Sequence, residues 1–194
     1  VALEVHSIHS VESVALWLVG KAVSFEFKGA RPAESELSEL HGEVILQPGK
    51  KGFFELRAET ESLALSDLVW LNPENLTGSK GNLKGQLYVK MSSEQQDFRL
   101  TLESPAPGGN LQAQLFSALR PYLPDLKKEQ ALAIAKSGNL VRYKNASLRA
   151  KLEKAGVMKI LLDILVPDYN LDLHLKVDVK VDEQNAFLEA AHWL

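Results

Sequence analysis

The stretch that decides the fold reads Leu171-Asp172-Leu173-His174-Leu175-Lys176-Val177-Asp178-Val179-Lys180-Val181-Asp182. Aliphatic and polar residues alternate through it without a violation, which is the period-two pattern of a β-strand with one buried face. At about 3.3 Å per residue, these twelve residues predict a strand of roughly 40 Å, about twice the ordinary length. The aliphatic face would gain on the order of 10 kcal/mol if buried. It must therefore meet a core, a partner or an apolar ligand.

The same alternation recurs upstream and predicts a mainly β fold of long antiparallel strands. Residues 44–46 and 54–58 flank the turn Pro48-Gly49-Lys50-Lys51-Gly52, which indicates a hairpin. A second hairpin is predicted from residues 83–91 and 98–102. Further strands are predicted at residues 1–5, 23–27, 140–143, 146–153 and 157–166. We expect these strands to form a curled sheet or groove.

A short helical insertion is expected around residues 110–137. Its apolar residues fall at helical spacing: Leu111, Leu115, Phe116 and Leu119. We predict that Asn110 caps this first helix and that Pro121 and Pro124 break it. Asp125 is predicted to cap a second helix, which Gly138 ends.

Length and composition limit the function classes. The 194 residues predict a single β-rich domain over 1–194, which we expect to be a segment of a longer chain, with any internal break near residues 105–110. A net charge of −3 gives no electrostatic reason to bind nucleic acid. The absence of cysteine excludes disulfides, thiolate metal sites and cysteine nucleophiles.

Residues able to do chemistry form no recognisable site in the sequence. The five histidines lack metal-binding spacing and no serine lies in a GxSxG turn, so we predict no metal, no cofactor and no catalytic residue. Asp163 lies among aliphatic residues, and a lone carboxylate there would have a raised pKa if it were buried. Strand alternation instead puts Asp163 on the more exposed face with Lys159, which is the interpretation we favour.

Two segments carry a resemblance to a known family. Residues 63–68 read Leu-Ala-Leu-Ser-Asp-Leu, and residues 81–89 follow as Gly-Asn-Leu-Lys-Gly-Gln-Leu-Tyr-Val, a GxLxGxL strand. Downstream come Pro107-Gly108-Gly109, the helical stretch and residues 140–148. In order and spacing, residues 40–182 resemble the AsmA-like superfamily, particularly its YdbH branch and the related TamB proteins. The chain departs from YdbH-type segments at residues 166–170, Val-Pro-Asp-Tyr-Asn, where those proteins have a Gly-x-Asn-Pro element.

The resemblance implies a non-enzymatic lipid-transfer protein of the bacterial envelope. Proteins of this superfamily are anchored in the inner membrane of diderm bacteria and extend across the periplasm as a long β-groove with an apolar interior. They are linked to phospholipid movement toward the outer membrane. For this chain, the resemblance implies a periplasmic location, membrane contact through other parts of a longer chain, envelope protein partners, and phospholipid or another acyl-chain ligand.

The predicted lipid-binding residues come from the matched GxLxGxL strand and from the long aliphatic strand. They are Leu83, Leu87, Val89, Leu171, Leu173, Leu175, Val177, Val179 and Val181. An alternative explains the same alternation: an extracytoplasmic β-sandwich or assembly module whose aliphatic faces pack on each other. A third class, an enzyme, has almost no support from the residues.

Overall fold

The computed structural model describes residues 3–4, 22–32, 38–49, 52–69, 72–153 and 156–181. Eleven strands lie in these ranges. They are β1 Leu3–Glu4, β2 Val23–Pro32, β3 Glu39–Gln47, β4 Phe53–Ala64, β5 Asn82–Ser92, β6 Gln96–Glu103, β7 Gly109–Gln112, β8 Leu140–Tyr143, β9 Asn145–Glu153, β10 Val157–Val166 and β11 Leu171–Lys180. The helices are α1 Pro73–Leu76, α2 Gln114–Leu119 and α3 Asp125–Ser137, with short 3-10 turns at Leu65–Leu68, Arg120–Tyr122 and Pro167–Tyr169.

The fold is mainly β, as the alternation predicts: 58% of the structure is strand and 23% helical. Eight long antiparallel strands form one sheet that does not close into a barrel, and the two-residue β1 adds to the end of β2. The strand order is β1-β2-β3-β4-β5-β6-β9-β10-β11. Each strand of this sheet therefore pairs with the next strand along the chain, with one exception. Strand β6 pairs with β9, and the segment between them contains β7, α2, α3 and β8.

The predicted hairpins are confirmed. Strands β3 and β4 pair in an antiparallel register that brings Val44 opposite Leu56, and the turn between them contains Gly49 at a φ of 111°. Strands β5 and β6 pair with Val89 opposite Phe98. In each hairpin the aliphatic residues fall opposite one another, so alternation along one strand becomes an apolar face of the sheet.

The insertion between β6 and β9 begins with a strand, not with the helix that the sequence predicts. The prediction that Asn110 caps a helix is wrong, because residues 109–112 form β7, which pairs with β8. Asn110 also exchanges backbone hydrogen bonds with Lys80, at 2.7 and 2.8 Å. These pairings satisfy the backbone groups that a first helical turn would leave unpaired.

The second helix of the insertion starts and ends at the predicted residues, whereas the first starts later than predicted. Helix α2 begins only at Gln114, and Pro121 lies just after it in a 3-10 turn. Helix α3 begins at Asp125, whose carboxylate accepts a hydrogen bond of 2.8 Å from Lys128 instead of capping the helix. Gly138 ends α3 in the left-handed conformation at a φ of 65°, as predicted.

Strand β11 is shorter than predicted. It covers the ten residues Leu171–Lys180, about 33 Å, in an unbroken register with β10, whereas the alternation predicts twelve. Val181 leaves the strand but stays buried, and its amide donates to the carbonyl of Gly156 at 2.8 Å. Asp182 lies outside the described residues, as does most of the strand predicted at residues 1–5.

The main hydrophobic core lies between the insertion and one end of the sheet. From the insertion it takes Phe116 and Ile134, both fully buried, and from the sheet it takes Leu102, Ile164 and Leu173. Residues 105–108 connect β6 to the insertion. The sheet and the insertion therefore share one core.

Candidate functional site

One face of the eight-stranded sheet is apolar from edge to edge. A row of directly paired residues crosses all eight strands without a polar side chain: Phe27, Gly42, Ala58, Leu87, Leu100, Ala150, Ile160 and Val177. A parallel row contains Val44, Leu56, Val89 and Phe98. Alternation on each strand predicts the pattern, but only the register joins the residues into one surface.

The insertion covers one half of this face. We call this the covered half; its strand residues include Leu83, Leu102, Leu148, Leu162, Ile164, Val166, Leu171, Leu173 and Leu175. Leu171 and Leu173 are 0% and 1% exposed, beneath a layer that contains Phe116 and Ile134. Their side chains have no surface left for a ligand.

The other half of the apolar face, which we call the uncovered half, has no residue of the insertion among its described neighbours. Its most buried members are Val89, Phe98, Ala150, Met158 and Val181. Partly exposed apolar side chains surround them: Phe54, Leu56, Leu87, Leu100, Leu152, Ile160 and Val179. These partly exposed side chains form an apolar surface that is continuous over several strands, which is uncommon on soluble proteins.

The structure divides the predicted lipid-binding residues between these halves. Leu83, Leu171, Leu173 and Leu175 lie in the covered half. Leu87, Val89, Val179 and Val181 lie in the uncovered half. Val177 packs against the covered core from the border.

Several residues of the uncovered half were not among the predicted site residues. Phe54, Leu56, Phe98, Met158 and Ile160 share it with the predicted residues. Their alternation was visible in the sequence. The missing signal was the strand register, which puts these positions beside Leu87 and Val89 on the same face.

The opposite face of the sheet is polar and carries a concavity of about 700 Å³. At its centre the ring of Tyr88 lies between two guanidinium groups, with Arg57 at 6.0 Å and Arg99 at 5.5 Å from the ring centroid. Each arginine is also held by a carboxylate on its own strand, Arg57 by Glu55 and Arg99 by Asp97. These carboxylates raise the pKa of both arginines through hydrogen bonds and charge. The cations are already neutralised, which leaves them poorly suited to bind an anion.

A second polar concavity, of about 400 Å³, contains Asp163. Its carboxylate accepts a hydrogen bond from Ser147 at 2.9 Å and contacts His174 Nδ1 at 2.7 Å. The hydrogen bond with His174 lowers the pKa of Asp163, and the same bond raises the pKa of His174. The prediction that Asp163 lies on the more exposed face is confirmed, since its side chain is 42% exposed.

This arrangement does not form a serine nucleophile. Ser147 donates to the carboxylate, and His174 bonds to that carboxylate and, at 3.2 Å, to Asp172. A nucleophilic serine needs a base that takes its proton, and here the imidazole does not contact the hydroxyl. Nowhere in the described ranges do three or more histidine or acidic side chains meet in a way that could hold a metal ion.

The helices within the described ranges are all too short or too polar to cross a membrane. Comparison of the chain with protein-family models, with curated proteins and with solved structures gave no match.

Proposed function

We propose that the protein is a non-enzymatic segment of an envelope lipid-transfer protein that holds phospholipid acyl chains against the uncovered half of its sheet. The observation that carries the proposal is the apolar face of the sheet. One unbroken row of apolar residues crosses all eight strands on this face, and the insertion covers only one half of the face. The sequence resemblance to the AsmA-like superfamily favours acyl chains as the occupant. It also favours the periplasm as the location.

The uncovered half has the chemistry that acyl chains require. Its residues offer aliphatic, aromatic and thioether groups, and burial of such surface contributes about 25 cal/mol per Å². The charged groups of the strands lie on the opposite face, so they would not be desolvated by a bound chain. Of the predicted residues, we confine the lipid-binding role to Leu87 and Val179, which are partly exposed in the uncovered half. Val89 and Val181 are 1% and 6% exposed, as little as the residues of the covered half, so they support this surface and do not contact a ligand.

The experiment substitutes aspartate at matched positions of the two faces. Val179→Asp puts a carboxylate into the uncovered half, opposite Met158. Leu161→Asp adds the same charge to the polar face of the adjacent strand, where Leu161 is 39% exposed. Native mass spectrometry of protein purified from cells would detect bound phospholipid, and a fluorescent phospholipid would report affinity.

We expect the wild type and Leu161→Asp to bind phospholipid equally. Binding to Val179→Asp should weaken by about tenfold or more, because a carboxylate must be desolvated against the acyl chain. A third variant, Leu173→Asp, serves as the stability reference and should lower Tm far more than Val179→Asp, since Leu173 is sealed in the core. A wild type that binds no phospholipid, or equal binding by Val179→Asp, would contradict the proposal.

A second candidate function is an envelope assembly module whose uncovered half is sealed by another protein. The covered half favours it, because the insertion there already packs a dry core on the same face. The same variants distinguish the two functions. An assembly module would show no phospholipid in native mass spectra, and Val179→Asp would abolish its protein complex.

A further inference from the structure

The two edges of the main sheet differ in how they are protected against pairing. The β2 edge carries a register shift between Phe27 and Ala30, a proline at position 32, and a short pairing with β1. These features block the addition of another strand. Strand β11 has none of them: it is ten residues long, contains no proline, and pairs with β10 without a shift. Within the described residues, no strand pairs with its outer side.

An unprotected edge of this length is a template for another strand, because it presents a row of backbone donors and acceptors. The charges of β11 all lie on the polar face, so a strand that pairs with this edge must carry a complementary charge order. On that face the side chains read Asp172, His174, Lys176, Asp178 and Lys180. Asp172 and His174 are well exposed, at 61% and 69% of their side chains.

This charge order is complementary to itself in one antiparallel register. When Lys176 lies opposite Lys176 of a second copy, Asp172 faces Lys180 and His174 faces Asp178. Each of these two pairs occurs twice because of the twofold symmetry. Only the central lysines meet a like charge. On the apolar face the same register sets Leu173 opposite Val179 and Leu175 opposite Val177.

The neighbouring registers lack this complementarity. A shift of two residues in one direction sets Asp172 against Asp178 and His174 against Lys176. A shift in the other direction sets His174 against Lys180, and leaves Lys176 with Asp178 as the one favourable pair. Parallel in-register pairing would set every charge against its own kind. Like charges directly opposite one another destabilise a sheet.

We propose that β11 is a homodimerisation edge, along which two copies of the chain pair antiparallel with Lys176 at the twofold axis. The two eight-stranded sheets then form one continuous sheet, and their apolar faces join across the interface. This inference concerns the edge and the polar face. It stands whether or not the apolar face binds lipid.

A charge-swap experiment tests the register. Asp172→Lys and Lys180→Asp each create two repulsive pairs in a homodimer, so each should weaken self-association by about tenfold. A mixture of the two variants restores complementary pairs and should dimerise as strongly as the wild type. Analytical ultracentrifugation over a concentration series measures all four samples.

Cross-linking tests the position of the axis, and the absence of natural cysteine makes this direct. Directly opposite residues have Cβ atoms about 4.5–5.5 Å apart, within reach of a short bis-maleimide. Lys176→Cys should cross-link to itself, whereas the control Lys159→Cys, on the polar face of β10, should not. A monomeric wild type would overturn the inference, as would association that the charge reversals do not change, or Lys176→Cys that cross-links no better than the control.

Discussion

The packing of the insertion on the sheet can be tested by two substitutions in the same helix. Helix α3 contains Ile134, which is 0% exposed in the main core, and Leu126, which is 89% exposed. Replacement of either residue by alanine removes the same number of carbon atoms. The two variants therefore differ in burial and not in the chemistry removed.

The expected cost of Ile134→Ala follows from its burial. Three carbon groups at about 0.8 kcal/mol each give about 2.4 kcal/mol, and the cavity left in a close-packed core raises this to about 3–4 kcal/mol. The better helix propensity of alanine returns about 0.4 kcal/mol. We expect a net loss of about 2.5–3.5 kcal/mol in the free energy of unfolding, which lowers Tm by about 5–14 °C.

Urea denaturation and thermal melting, both followed by far-ultraviolet circular dichroism, measure this loss. Leu126→Ala is the control and should change the free energy of unfolding by less than about 0.5 kcal/mol. Equal stability of the two variants would refute the reasoning, because it would mean that Ile134 is not sealed against the sheet. A separate early transition for the insertion would also refute it, since the insertion and the sheet share one core.

Three further predictions concern the Tyr143 hydroxyl, Gly81 and the pair of Asp163 with His174. The buried hydroxyl of Tyr143 lies near that of Ser104 without hydrogen-bond geometry, so Tyr143→Phe should change stability little in urea denaturation. Gly81→Ala should destabilise clearly, because its Cβ would collide with the Tyr143 hydroxyl and its φ of 142° is unfavourable for alanine. Adding Tyr143→Phe should recover part of the loss. Hydrogen bonding to Asp163 raises the pKa of His174, so Asp163→Asn should lower the imidazole titration midpoint measured by NMR. The stability from this raised pKa is fully present below the ordinary value of about 6.5, and is lost as pH rises through the raised pKa. An unchanged midpoint would contradict the assignment.

Secondary structure and the division into faces could be read from the sequence because they are local properties. Alternation in residues 171–180 predicts a strand with one aliphatic face, and the turn at residues 48–52 predicts the hairpin that the structure contains. The exposed position of Asp163 followed from the same alternation. In each case the period of the side chains is enough, whatever packs against them.

The errors arose where long-range pairing decides the local structure. Asn110 is a good helix cap by type, yet its backbone pairs with Lys80, thirty residues upstream. Strand β11 stops at Lys180 although the alternation continues, because β10 provides partners only as far as Val157. A local pattern does not contain the distant partner that completes the backbone hydrogen bonds.

The sequence by itself therefore determined which side chains share a face, and predicted a wholly aliphatic one. Only the tertiary structure decided what lies against that face: Phe116 and Ile134 cover Leu171 and Leu173, while Val179 lies with the half that the insertion does not reach. Only the structure, too, puts β11 at the end of the strand order in the part of the chain that it describes. The physical reason is that amphipathic alternation requires burial of one face but does not specify whether core, ligand or partner provides it.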